Sequence, residues 1–373
     1  MPPGVKTLPA RHYTEPAQFD LEMERIHLDM WLCAGRLEQI ASPGRYFVRQ
    51  VATASVIVLM GADGRPAAFH NVCRHRGTRL CQDAEGEVPG RIQCQYHAWT
   101  YDLDGRLVSA PHMDKVAGFS EADYPLGRVA TAVWDGHVFI NLSARPRPLA
   151  EHLASLPAKF APWGMADLRR VERRVYELRA NWKLIVQNYS ECLHCPIVHP
   201  LLQRHSHYMS GDNEPPQATY LGGRMDLRDG VESLSLDGRA SAPFLPGLGA
   251  EDRRHVYYYA VLPNLLLNLH PDYMRTFTLW PRAVDRTDVV CEWHFHPEAI
   301  ARPGFDPRGA VEFWDLTNRQ DWELSELAQQ GISSRGYRPG PYSNREELLQ
   351  ALDRFVLQRT GAAAAEPAVA GPS

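Results

Sequence analysis

The sequence predicts an α+β chain built in two parts, and three observations carry that prediction. The chain has 373 residues, enough for two domains that each bury a core. From Ser42-Pro43-Gly44 to about Leu142, short β-rich runs alternate with tight turns. Beyond Pro146–Pro148, longer strand-like runs are interleaved with long helical patterns, which is the mixture expected of strands packed with helices.

Each element follows from local pattern. Residues 1–41 read as an N-terminal helical segment, because Met23, Ile26, Met30 and Leu37 form an apolar stripe within Phe19–Ile40. Residues 42–145 read as an antiparallel β module. Its strands include Tyr46–Val51, Ala54–Met60 and Val133–Leu142, with turns at Asp63-Gly64, Asp104-Gly105 and Asp135-Gly136. Residues 146–360 form the second domain. It opens with a helix over Leu149–Trp163 and a strand over Arg173–Arg179, and Trp182–Leu193 is expected to be helical. Pro196–Gly249 is loop-rich, a stretch able to cover a site. Strands are expected over His255–Leu269, Tyr273–Pro281 and Asp288–His296, and helices over Gly309–Gly331 and Asn344–Arg359. The Ala/Pro/Gly-rich residues 361–373 read as a disordered tail.

Composition narrows the function classes. With 40 basic against 44 acidic residues and no basic block, nothing marks a nucleic-acid surface. The longest apolar runs are too short to cross a bilayer, and Met1–Pro16 lacks the apolar core of a signal peptide. A cytoplasmic protein is therefore expected, with its seven cysteines acting as thiols or metal ligands.

Two motifs carry chemistry. The β module contains Cys73-Arg74-His75 and Cys94-Gln95-Tyr96-His97. Two thiolates and two imidazoles can hold a Rieske [2Fe–2S] centre, cysteines on one iron and histidines on the other. A tetrahedral zinc site accepts the same four donors, but zinc-finger spacing pairs cysteine with cysteine and histidine with histidine. Gly77 permits a tight loop there, and Trp99 and Tyr101 could shield the centre. Cys33, Cys81, Cys192, Cys195 and Cys291 lack such partners and read as buried thiols.

The second motif is Asn188–Pro200, N-Y-S-E-C-L-H-C-P-I-V-H-P. On a helix Glu191 and His194 share a face. His199 would lie about 140° further round, and Pro196 is expected to end the helix and free it. Two imidazoles need one carboxylate from elsewhere to form the facial triad of non-haem Fe(II) oxygenases. No G-x-G-x-x-G fingerprint follows a strand, so no bound NAD or FAD is expected, and electrons must come from a separate reductase, with or without a ferredoxin.

Taken together, these residues and the N-W-K of Asn181–Lys183 resemble the Rieske non-haem iron oxygenase alpha subunits. The phrases N-V-C-R-H-R-G (Asn71–Gly77), Y-H-A-W-T-Y-D-L-D-G (Tyr96–Gly105) and E-C-x-H-C-P-x-x-H-P are most similar to the branch of glycine betaine, stachydrine and carnitine oxygenases. The resemblance implies a helix-grip catalytic domain, a homotrimer, and a mononuclear iron held by His194, His199 and an aspartate on a late helix. Asp321 matches that aspartate; Asp315, Glu323 and Glu326 are its rivals. Glu191 then matches the carboxylate that bridges electron transfer between subunits. Gln187 and Leu193 depart from the family pattern, which more often has glutamate and tyrosine there. The implied reaction is hydroxylation of an organic substrate with O2, such as oxidative N-demethylation of a quaternary ammonium compound; hydroxylation or cis-dihydroxylation of an aromatic ring is the other reading. Tyr257, Tyr258, Tyr259, Phe277 and Trp280 are candidate aromatic faces for an ammonium group, although aromatic strands are also ordinary core. His112, His205, His207, His255, His270, His294 and His296 match no metal motif.

Overall fold

Seventeen strands and several helices make up residues 5–361, the part described by the computed structural model. By their internal contacts these residues divide into two compact units, one of residues 27–152 and the other of the described residues before and after it. No described helix is long and apolar enough to cross a membrane.

The first unit is almost wholly antiparallel β. Its strands are β1 (Leu32–Arg36), β2 (Arg45–Val51), β3 (Ala54–Met60), β4 (Pro66–His70), β5 (Glu85–Glu87), β6 (Arg91–Gln93), β7 (Thr100–Asp102), β8 (Leu107–Ser109), β9 (Arg128–Trp134) and β10 (His137–Asn141). The main sheet runs β1-β10-β9-β4-β3-β2-β5, and β6-β7-β8 forms a separate small sheet. The apolar side chains of both meet around Phe69, Ile57, Leu59, Trp99 and Tyr101.

One sequence expectation is corrected here. The helix expected over Phe19–Ile40 covers only the first part, Pro16–Glu22 followed by a π-helical turn at Met23–His27. Leu32–Arg36 is instead strand β1, buried along its whole length and paired with β10. The expected stripe holds only as far as Met30, with Leu37 in a separate 3-10 turn, and the continuous run Trp31-Leu32-Cys33-Ala34 between them is the pattern of a strand buried on both faces.

The second unit is organised on a seven-stranded antiparallel sheet. Its strands are β11 (Arg169–Leu178), β12 (Asp212–Asn213), β13 (Tyr220–Asp226), β14 (His255–Val261), β15 (Leu265–Leu269), β16 (Tyr273–Ala283) and β17 (Arg286–Phe295), ordered β11-β17-β16-β15-β14-β13-β12. Long helices Arg308–Ile332 and Glu347–Thr360 belong to this unit. The expected run His255–Leu269 is two strands, because Leu262-Pro263-Asn264 makes a turn between β14 and β15. Of the tail, residues 362–373 lie outside the described residues.

The N-W-K motif anchors the helix Trp182–Tyr189 at its start. Asn181 is the N-cap: its side chain accepts the Lys183 N–H at 3.0 Å and donates to Val284 O at 2.7 Å. Trp182 Nε1 and Lys183 Nζ both reach the buried carboxylate of Glu22, at 2.8 and 2.6 Å. Gln187, where the family often has glutamate, donates to Asp353 Oδ1 at 2.9 Å. Burial pushes the Asp353 carboxyl up to about 7. A glutamate at 187 would set a second carboxylate against it, whereas the amide supplies a donor.

Asp272 makes this unit's stability depend on pH. It accepts from Ser233 Oγ at 2.5 Å and from the Ser241 N–H at 2.7 Å, tying the loop after β13 to the β15–β16 turn. Burial raises its carboxyl to about 7 despite those bonds. The unfolded value is about 3.9, so between the two the folded state keeps a proton that the unfolded chain has released. The contribution is thus complete below about pH 4 and lost as pH rises towards 7, at about 1.4 kcal/mol per unit crossed. Asp272→Asn is expected to flatten this part of a Tm-against-pH profile, and an unchanged slope would show that Asp272 does not cause it.

Candidate metal centres and substrate cavity

In the β unit, two loops of matching conformation present the four predicted donors. Gly77 N donates to Cys73 O at 3.0 Å, and Ala98 N donates to Cys94 O at 3.0 Å. Both loops close through a left-handed residue at the same offset, Gly77 at φ 75° and Ala98 at φ 56°. Glycine meets that demand without strain, whereas alanine accepts the uncommon conformation to make the second loop equivalent. Cys73 and Cys94 are buried; His75 is exposed and His97 half-buried, their rings 4.7 Å apart. Trp99 stacks on His75 at 4.8 Å. Tyr101 lies beneath, its hydroxyl 3.4 Å from Cys73 Sγ and accepting the Arg74 N–H at 2.9 Å. A thiol pair inside and an imidazole pair towards solvent suit a [2Fe–2S] cluster with two kinds of ligand.

The second motif is built differently from the helix expected of it. The helix stops at Tyr189, where Ser190 bonds back to Val186 O through both its N–H and its hydroxyl. Glu191–His194 is a loop, and a new helix starts at Cys195–Val198. Pro196 therefore opens a helix instead of ending one. At a first turn its missing N–H has no partner to lose. A second correction concerns Cys192 and Cys195, read as buried thiols, which are joined as a disulfide across Cα atoms 5.0 Å apart. Cys33, Cys81 and Cys291 are buried and take no part in a disulfide.

Despite the lost helix, the loop brings the predicted residues together. His199 Nε2 lies 2.8 Å from Asp321 Oδ1, and His194 Nε2 lies 3.2 Å from the same oxygen. Two ligands about 2.1 Å from one divalent metal, near a right angle, stand about 3 Å apart, so this spacing suits a shared metal. Each opposite ring nitrogen is held: His194 Nδ1 by Glu191 Oε1 at 2.6 Å, and His199 Nδ1 by Gln320 Oε1 at 2.8 Å. An acceptor at Nδ1 places the proton there and leaves the Nε2 lone pair free for a metal. Glu191 also accepts from the Leu193 N–H. Burial disfavours a charge on His194, but its bonds to Asp321 and Glu191 prevail and lift it to about 10.

Two of the three rival carboxylates are engaged elsewhere. Asp315 is held by Arg174 at 2.7 Å, Arg319 at 2.8 Å and the Tyr176 hydroxyl at 2.6 Å, and Glu326 accepts the Arg179 N–H at 2.9 Å. Cys195 Sγ comes near His194 and His199, but the disulfide removes it as a thiolate donor. Most other histidines also have structural contacts: His207 accepts from Met209 N, His255 pairs with Asp226, His296 caps Glu298, and His270 stacks on Tyr273.

His194, His199 and Asp321 line a cavity of about 460 Å³. Of the five proposed aromatic faces, Tyr258 and Phe277 line it; Tyr257, Tyr259 and Trp280 do not. Strand alternation is the reason, because Tyr257 and Tyr259 point to the other face of β14, against Phe160. Tyr189, Trp314, Arg275 and Asn318 also line the cavity and were not foreseen. Arg275 could have been: it is the one charge in the buried run Tyr273–Leu279.

The fold and these two centres define a Rieske-type oxygenase subunit. The chain belongs to the ring-hydroxylating oxygenase family: the family model "Ring hydroxylating alpha subunit (catalytic domain)" matches residues 165–362, and "Rieske [2Fe-2S] domain" matches residues 30–120. It is the terminal oxygenase component, with a Rieske [2Fe–2S] domain and a non-haem iron catalytic domain. Among curated proteins it is similar to the glycine betaine monooxygenase oxygenase subunit of Pseudomonas aeruginosa, 32% identical with 92% of this chain and 86% of that one covered. The carnitine monooxygenase oxygenase subunit of Escherichia coli is 30% identical, with 90% and 87% covered. Among solved structures, a quaternary ammonium Rieske monooxygenase described for carnitine oxidation and inter-subunit electron transfer superposes with a TM-score of 0.82. It is 26% identical, and 97% of this chain and 96% of that chain are covered.

Proposed function

We propose that this subunit hydroxylates an N-methyl carbon of a quaternary ammonium compound, which then leaves as formaldehyde. The observation that carries the reading is the convergence of His194 Nε2 and His199 Nε2 on Asp321 Oδ1 at the wall of the cavity. The substrate class is supported by likeness to the glycine betaine and carnitine enzymes. In this reading Cys73, His75, Cys94 and His97 hold the [2Fe–2S] cluster, and His194, His199 and Asp321 hold the mononuclear iron. When bound, the two groups supply electron delivery and O2 activation.

The protein's own residues do the positioning. Glu191 and Gln320 fix both imidazoles with Nε2 free, and the short path from Glu191 to His194 suits an electron-transfer bridge. Three protein ligands leave coordination positions open. Overall, O2, two electrons and two protons convert N–CH3 to N–CH2OH and water; the carbinolamine then loses formaldehyde and a proton to give the tertiary amine. The electrons come from a separate NAD(P)H-dependent reductase, directly or through a ferredoxin, and the working form is a cytoplasmic homotrimer. Residues 42–145 form the Rieske domain and 146–360 the catalytic domain.

A panel of betaines and aromatic acids, supplied to the iron-loaded protein with a reductase, tests this. Formaldehyde in step with NAD(P)H consumption is expected from the betaines. A diol from the aromatic acids, with no formaldehyde from any quaternary ammonium compound, would replace this reading with ring oxidation.

A further inference from the structure

A row of buried hydrogen-bond donors crosses the catalytic sheet and has no role in holding metal. Tyr258 on β14 pairs with Asn268 on β15, which pairs with Arg275 on β16. Residues directly opposite on adjacent strands share a face, and Tyr258 and Arg275 line the cavity. Arg275 is only 2% exposed. Its Nη1 donates to Asn318 Oδ1 and its Nη2 to Asn268 Oδ1, each at 3.0 Å. The guanidinium lies over the Trp314 ring, 3.4 Å from its centroid, and 4.5 Å from that of Phe277.

What this cation lacks is an anion. Among the described residues no carboxylate pairs with Arg275, whereas Lys183, another deeply buried cation, has Glu22 at 2.6 Å. Arg275 Nε, Asn268 Nδ2 and the Tyr258 hydroxyl are all buried without a hydrogen-bond partner. An isolated charge is costly to bury, and a guanidinium offers a planar fork of donors matched to a carboxylate.

We propose that Arg275, Asn268 and Tyr258 bind a carboxylate of the substrate. Resting on the quaternary ammonium reading above, this makes the substrate a zwitterion and disfavours a cation that carries only a hydroxyl. The charges also orient it. Trp314 and Phe277 are occupied by the guanidinium, so an ammonium group is repelled from those faces. Asn318, which holds Arg275, precedes Asp321 by three residues on one helix, about 4.5 Å of rise. A short zwitterion thus fits with its carboxylate at Arg275 and an N-methyl group at the histidines. Arg224 and Arg345 also line the cavity, but Arg224 is paired with Asp212 and Glu251 and Arg345 is exposed, so Arg275 is the buried cation of the lining.

Calorimetric binding to the iron-loaded, full-length protein without O2 tests the assignment independently of turnover. The probes are glycine betaine, choline (an ammonium without a carboxylate) and benzoate (a carboxylate without an ammonium). Glycine betaine is expected to bind at least about 10-fold more tightly than choline. Arg275→Gln should weaken glycine betaine by about 100-fold and choline by less than about 3-fold, the contrast expected when one partner of a buried charge pair is lost. Arg275→Lys should fall between. Tyr258→Phe removes one donor with little change of shape, so a selective loss for glycine betaine is expected even if Arg275→Gln does not fold. Equal binding of glycine betaine and choline, equal losses for both in Arg275→Gln, or no effect of Tyr258→Phe would each overturn the proposal. Tight benzoate binding lost in Arg275→Gln, with no formaldehyde from any quaternary ammonium compound, would uphold the carboxylate site and sink the demethylation reading instead.

Discussion

Asp321→Ala is expected to lower substrate turnover by more than about 100-fold, the upper end of what losing an outer partner of a metal ligand costs. Asp321 Oδ1 touches both Nε2 atoms, so its removal takes away one proposed ligand and the only described carboxylate that sets the two imidazoles against each other. Gln320→Ala should cost less, about 10- to 100-fold, because it removes only the acceptor that fixes the His199 tautomer. Both variants should keep the visible spectrum of the Rieske cluster, whose donors lie in the other unit. Iron per chain, measured with formaldehyde release, separates the cases. Asp315→Asn is the internal comparison: its carboxylate is engaged by Arg174, Arg319 and Tyr176, so stability should fall while iron content stays. If Asp315→Asn lost iron and Asp321→Ala kept it, the ligand assignment would have to move.

The two metal motifs were legible in the sequence because each demands rare residue types at short spacings. The matching loops at Cys73 and Cys94 follow from local backbone bonds, which need no tertiary information. Asp321 was different. Within its helix it looks like any carboxylate, and only family likeness singled it out from Asp315. The packing that separates them, with Asp315 against β11 and Asp321 against the histidines, joins residues more than a hundred positions apart. Helix limits were read poorly for a related reason. Ser190 ends its helix by bonding to the preceding turn, and Pro196 serves a helix start, while the periodic pattern runs on through both. Arg275 and Gln320 escaped notice because their meaning depends on partners from other strands and helices. Likewise, the alternation that sends Tyr258 into the cavity and its two neighbours away becomes assignable only once one face of β14 is known.

Lys183→Met is expected to destabilise the catalytic unit by about 3–5 kcal/mol, the usual cost of breaking a buried ion pair from one side. Lys183 and Glu22 are both 0% exposed, with Nζ 2.7 and 2.6 Å from the two carboxylate oxygens. Removing the ammonium leaves Glu22 with only neutral donors among the described residues, the Trp182 indole at 2.8 Å and the Gln18 amide at 3.0 Å. Pairing the change with Glu22→Leu should recover much of the loss, since two apolar groups replace a charge left without its counter-ion. Denaturant unfolding followed by far-ultraviolet circular dichroism, with the Rieske absorbance tracked separately, distinguishes the two units' transitions. A loss below about 1 kcal/mol in the single variant, or a double variant no better than the single, would show that the pair does not carry this energy. The consequence should also reach the iron site. Lys183 sits in the first turn of the helix Trp182–Tyr189, and Glu191 and His194 follow its last turn. A helix freed at its start can shift along its axis, moving Glu191 from its 2.6 Å contact with His194 Nδ1. Lys183→Met should therefore retain less iron than the native chain even where it is fully folded, and the double variant should hold an intermediate amount.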